Sequence, residues 1–385
     1  MAPDAPRQPI WTRQLVLLLV TVAFGLTTLN LALPVLPLSV ARATGNTGLA
    51  GVVTVTVAVL TVVFELQAPH LLRRVRPVRL LLAGLLVEML AMAGFAEIRA
   101  LPAMLVFGGL VGAGFGTVAT VSTILVGRLA PPGRRGEAIG YYGLAASLPS
   151  VVGQPAGLLL LDGFGFSAVF WAGSATSLVG ILLAACLRPS AQPVEAQPTG
   201  GLVATLTTPR VLLIWGSFVC VTFVFGGIVS FSPLLLPGSG LGSAPAFLLV
   251  AGVARTSART LSGRVIDRLG DWRPVWPLLL LGALGLALLP LRQPALTMLA
   301  GVLFGAGLGV AQTAAFVGML RSTDPSRSGM VGGLWNVAVD VGFAASALLL
   351  APLGASIGYP AMFWTLPALF LVALAARTAE RRLRD

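Results

Sequence analysis

Five ionisable side chains stand inside long apolar runs of this sequence: Glu65, Glu88, Arg255, Arg259 and Asp340. A charge in such a setting is costly unless it is paired, neutralised by a proton or given to a ligand, so each is a functional candidate. Arg255 and Arg259 are four residues apart and share one helix face. A pair of Asp340 with either arginine would bury both charges, and such a pair can be purely structural. Glu88 has no arginine deep in its own half of the chain, and a carboxyl buried without a cation is more stable neutral. Glu88, Asp340 and Glu65 are therefore the candidates for carrying an exchanged proton. Asn30, Gln154 and Gln312 are the amides within apolar runs; each can touch a ligand or make an interhelical hydrogen bond. His70 stands where an apolar run meets an arginine cluster, the usual place of a solvated interfacial residue.

The composition says what must position these groups. Apolar residues make up 56% of the 385 and charged residues 10%, with mean hydropathy +0.93. A soluble domain of this length needs far more charge on its surface. Twelve apolar runs, each about the 20 residues of a bilayer crossing, begin near Gln14, Gly48, Val78, Pro102, Ala138, Ser167, Val211, Ala244, Pro274, Ala295, Gly329 and Tyr359. The first is too long for a signal-peptide core, so an uncleaved helix is expected.

The net charge of +12 could suggest nucleic acid, but the arginines fall in clusters between the runs. With both termini cytoplasmic, twenty arginines lie inside and three (Arg42, Arg99, Arg292) outside, the positive-inside pattern. The segments expected are a cytoplasmic N-terminus (1–13), a six-helix half (14–188), a linker (189–209), a second six-helix half (210–376) and a cytoplasmic C-terminus (377–385). Cys186 and Cys220 both lie in apolar runs and make no framework for a disulfide or metal. No cofactor and no metal are expected.

The halves repeat. At a constant offset of 193, Gly112-Ala-Gly-Phe-Gly116 matches Gly305-Ala-Gly-Leu-Gly309. Gly136 matches Gly329 at the same offset, and Gly165, Ala168, Phe170 and Trp171 match Gly358, Ala361, Phe363 and Trp364. An even number of helices per half makes this a parallel repeat, as in transporters whose halves rock about a central site. Gly112–Gly116 is no dinucleotide loop, because no strand precedes it.

Charges crowd between the eighth and ninth runs, in Gly263 to Val275, which predicts a tight turn at a membrane surface. Gly263, Asp267, Arg268 and Gly270 resemble the G-x-x-x-D-R-x-G signature loop of the major facilitator superfamily, and Arg73 and Arg76 are the remnant of its first copy. Gly153, Pro155 and Gly157 resemble, in part, the helix-five motif of the proton-antiporting export branch. Physically they predict a bent helix with a flat face on which the other half can rock. Gly108 stands where relatives carry a fourth-helix arginine linked to coupling.

The resemblance implies an all-α integral membrane protein with twelve helices in two parallel-repeat halves. It also makes the eighth and eleventh helices neighbours, and places Asn30 and Gln312 on cavity-lining helices. The function it implies is proton-coupled efflux, by antiport and alternating access, of a small apolar or amphipathic compound. Second readings are an uptake symporter, or an exporter of an anionic metabolite with Arg255 as the anion ligand; a non-transporting membrane sensor is a third. No nucleophile stands with a base and no loop is large enough to house a site, which argues against an enzyme. The partners expected are lipid, protons and a small-molecule substrate but no nucleic acid, for a monomer in a bacterial inner membrane.

Overall fold

An apolar run in lipid has no water to satisfy its N–H and C=O groups, so it must close its hydrogen bonds on itself as a helix. The computed structural model describes residues 10–131, 134–188, 205–269, 276–324 and 330–379. Its long helices are α1 (Arg13–Ala32), α2 (Val52–Leu71), α3 (Pro77–Glu97), α4 (Leu101–Leu129), α5 (Arg135–Phe164), α6 (Phe166–Ala185), α7 (Pro209–Leu235), α8 (Ala244–Leu269), α9 (Trp276–Leu288), α10 (Pro294–Ser322), α11 (Val331–Ile357) and α12 (Tyr359–Ala379). These correspond one to one with the twelve expected spans.

Local sequence sets several ends. Prolines open α3, α4, α7 and α10, where the missing N–H would have no helical partner anyway. The Thr12 side chain caps α1 by accepting from the Leu15 N–H at 3.2 Å. Past a turn around Pro34, the first run continues as a short helix, Leu36–Thr44. Among the described residues, nine spans are long and apolar enough to cross a membrane. The apolar parts of α9 and α12 are shorter, and four arginines lower the hydropathy of α8.

One boundary differs from the sequence reading. Gly263 to Leu269, read as the start of a tight turn, continues α8 as helix. Nothing in Arg264-Val-Ile-Asp-Arg268 breaks a helix, and long charged side chains at a helix end reach the interface without unwinding it. Gly270 to Val275 lie outside the described residues, as does most of the 189–209 linker. The first copy is a turn, as expected: α2 ends at Leu71 and α3 begins at Pro77.

The two halves are built alike. In the first, α4 packs on α2 and α3, α6 on α1 and α3, and α1 also on α5. In the second, α10 packs on α8 and α9, α12 on α7 and α9, and α7 also on α11. Adding six to each number in the first set gives the second. The sequence repeat explains it. A Cβ on Gly112 would fall on the Val57 backbone of α2, and one on Gly305 on the Ala251 backbone of α8. Gly116 and Gly309 meet the same two helices one turn on, at Thr61 and Arg255, while Gly114 and Gly307 face α3 and α9. Phe170 and Phe363 are both buried, whereas their neighbours Trp171 and Trp364 are 50% and 51% exposed. Gly165 and Gly358 end α5 and α11 at φ 82° and 83°, a conformation that disfavours any side chain.

This packing makes a first prediction. Gly112→Val drives a branched side chain into the Val57 backbone and should cost about 3 kcal/mol by overpacking. Gly127→Ala, in open space on the same helix, should be neutral or stabilising. Thermal melting of the two purified variants checks the contrast; equal melting temperatures would refute it.

Candidate functional site

The halves meet chiefly along two helix pairs, α2 with α11 and α5 with α8. At the end remote from the Arg73–Arg79 cluster they are tightly closed. A Cβ on Gly51 would strike the Ala347 backbone, and one on Gly252 would lie 3.1 Å from Val151 Cα. Toward the arginine-rich end they part. Between 149 and 158, α5 buries most of its side chains, but between 136 and 148 it buries Ala138 alone among the described residues. Of the half-buried residues of that stretch, Tyr141, Tyr142, Ala145 and Ala146 pack on the core of their own half. The join between the halves therefore loosens toward the arginine-rich end, and a small cavity lies between them beside Arg255.

Arg255 lines this cavity and is 8% exposed. Its guanidinium donates to the Ser150 hydroxyl of the other half and stands over the Phe225 ring, 4.8 Å from the centroid. The walls here are Gln154 of α5, Phe225 and Ile228 of α7, and Phe304 and Leu308 of α10. Arg259, one turn toward the arginine-rich end, stands over the Trp335 ring of α11 at 5.4 Å. Among the described residues the Trp335 Nε1 is buried without a partner, a spare donor beside that arginine.

The expected pair of Asp340 with Arg255 or Arg259 does not form. Among the described residues neither arginine has a carboxylate within salt-bridge distance, and the ion pair found there is Arg134–Glu137 at 2.7 Å. The reason is topological: α8 packs mainly on α10 and α5, while α11 packs mainly on α7 and α2. Asp340 instead lies within electrostatic reach of Glu65 on α2 of the first half. Geometry agrees. Glu65 shares a helix face with Gly51, fourteen residues earlier, and Asp340 shares one with Ala347, seven later. Gly51 and Ala347 are the contact point of α2 and α11. Both acids are half-buried and lie toward the arginine-rich end.

Glu88 is elsewhere. It is fully buried inside the first half, with Gly114 of α4 against its Cγ and the Ser177 Oγ of α6 3.4 Å from its Oε2. Of the two cavity amides, Asn30 is used internally: its Oδ1 accepts from Gln154 Nε2 at 3.2 Å, tying α1 to α5. Gln312 is buried on α10, three residues from Gly309. Gly153 and Gly157 face Asn30 and Leu31 of α1, their own half, not the opposing one. The surface that α5 offers the other half includes Ser150, Val151 and Gln154. Sequence reasoning missed Ser150, Phe225 and Trp335, since a serine or ring in an apolar run announces nothing until its partner is known.

Residues 15–347 match the profile of the Major Facilitator Superfamily. The chain belongs to the major facilitator superfamily. Over 80 residues it is 42% identical to an uncharacterized MFS-type transporter of Mycobacterium tuberculosis, a match spanning 21% of this chain and 14% of that protein. Three solved structures share its fold over nearly the whole length. The human organic anion transporter MFSD10 superposes with TM-score 0.67 at 19% identity, covering 96% of this chain and 100% of that one. A bacterial homolog of the human lysosomal transporter Spinster, inward-facing and unoccupied, gives 0.78 at 14%, covering 97% and 98%. The nucleoside transporter NupG gives 0.76 at 11%, covering 96% and 100%.

A major facilitator chain is a multi-pass protein of the lipid bilayer and a secondary-active transporter of small molecules, not an enzyme. Of its signature loop, Gly263 and Arg268 stand on the last turns of α8, Arg268 exposed; Arg73 and Arg76 are exposed on the turn after α2. The Asp267 side chain and Gly270 fall outside the described residues.

Proposed function

We propose that this transporter carries a small organic anion together with protons, by alternating access, and that Arg255 is the anion's ligand. The observation that carries the reading is the unpaired state of Arg255 among the described residues. A buried cation without a counter-charge costs several kcal/mol, of which a ring face returns about 2 kcal/mol or more. An anion entering the cavity supplies the missing charge. The apolar walls around Arg255 favour an anion with a hydrophobic body over a compact inorganic one. Of the transport readings open from the sequence, efflux of an uncharged apolar compound leaves the cation unexplained. The anion reading uses it. The human organic anion transporter of the same fold handles the same ligand class.

Proton coupling follows from the acids. Closing the arginine-rich end brings Glu65 and Asp340 out of water, and their mutual repulsion opposes closure while both are ionised. Protonation removes that repulsion as the anion neutralises the arginines. Anion and proton then cross together, and the gradients set the direction. We place the arginine-rich end in the cytoplasm of a bacterial cell, by the positive-inside distribution, with Gly263–Gly270 and Arg73–Arg76 on that side.

Binding tests the reading directly. An organic carboxylate at about 100 times its Kd should stabilise the purified protein by about 2.7 kcal/mol, while the matched neutral amide gives no shift. Equal stabilisation by acid and amide would refute an anion site.

A further inference from the structure

Glu88 plays no part in the cavity, and its surroundings assign it another task. Four contacts run in series from its carboxyl. Oε2 lies 3.4 Å from Ser177 Oγ, Ser177 Oγ 2.7 Å from Thr28 Oγ1, and Thr28 Oγ1 3.0 Å from Thr176 Oγ1. Thr176 Oγ1 lies 2.8 Å from the Gly173 carbonyl. Each hydroxyl owns one proton. The Gly173 carbonyl can only accept, so Thr176 spends its proton there. With all four contacts made as hydrogen bonds, Thr28 donates to Thr176, and Ser177 to Thr28. Nothing is left for Ser177 to give Glu88.

We infer that Glu88 is a carboxylic acid with a resident proton, donated from Oε2 to Ser177, and that this donor closes a chain tying α3 to α6 and α1. The fourth proton in the series must come from the acid itself. No nearby charge on the packed helices argues otherwise. The ionisable residues of α3 other than Glu88 are Arg79 and Glu97, close to its two ends. The packed helices offer only Arg128 near the end of α4 and Arg13 at the start of α1, and α6 has none. An ionised Glu88 would be a buried anion with one long contact and a bare Oε1. The proton exchanged in transport is therefore carried by other groups, and Glu88 serves the first half as a fixed hydrogen-bond donor.

The amide of Glu88→Gln supplies the same donor permanently, so this variant separates a resident from an exchanged proton. Infrared spectra of the reconstituted protein should show a protonated-carboxyl band that persists from about pH 5 to about pH 9. That band should be lost in Glu88→Gln. The same variant should keep gradient-driven transport with the wild-type pH profile. Glu88→Asp, too short to reach Ser177, should lower the melting temperature, and Ser177→Ala should shift the band without abolishing it. A band that titrates within that range would overturn the assignment. So would a Glu88→Gln protein that exchanges substrate yet cannot accumulate it. If Glu88→Gln fails to accumulate in the membrane, the wild-type titration and the Ser177→Ala spectrum decide alone.

Discussion

Arg255→Gln lowers organic-anion transport by about 10- to 100-fold while the protein remains in the membrane at its usual level. The magnitude is that of hydrogen bonds to a charged group, about 1.5–3 kcal/mol, at 1.4 kcal/mol per factor of ten. The retained stability is the discriminating part. Removing a buried cation that has no acidic partner takes away a desolvation cost and leaves no orphan charge. Were Arg255 a structural residue, the same change would lower protein level along with transport. Arg255→Lys keeps the charge but loses the planar fork and its stacking on Phe225, so it should raise KM more than it lowers kcat. Wild-type flux from Arg255→Gln would rule out an anion site at this arginine.

Glu65→Gln and Asp340→Asn each abolish accumulation driven by a pH gradient, yet leave exchange between equal pools. Each amide imitates a carboxyl that has already taken its proton, so closure no longer requires one. The two acids act through a shared repulsion across α2 and α11, so the effects should not add. The double variant should resemble either single one. Strict additivity would place the acids in separate roles, and full accumulation by both variants would put proton coupling elsewhere.

Much of this architecture was legible in the sequence because lipid leaves so few alternatives. An apolar run of about 20 residues must be a helix, and the 193-residue repeat reappears in three dimensions as the paired close approaches at Gly112 and Gly305. Arg255 and Arg259 stood out as deep cations for the same reason. Their surroundings did not. Which helix α8 faces depends on how the two halves cross, and Ser150 precedes Arg255 by 105 positions. The pairing with Asp340 was read from helix adjacency, and the observed packing directs that acid to Glu65 instead. Glu88 was conspicuous for depth alone, and no local pattern marks Ser177 and Thr28 as its partners. Gly153 and Gly157 likewise gave their helix but not the face, which is turned inward on α1.

The most direct test is flux into proteoliposomes of an organic carboxylate and its neutral amide, with and without an imposed pH gradient. If Arg255 holds the anion and protons cross with it, the carboxylate accumulates with the proton gradient and falls to equilibrium when an ionophore dissipates it. It should also fail to move through Arg255→Gln. Transport of the neutral amide at the same rate, or carboxylate flux indifferent to the gradient, would contradict coupled anion transport.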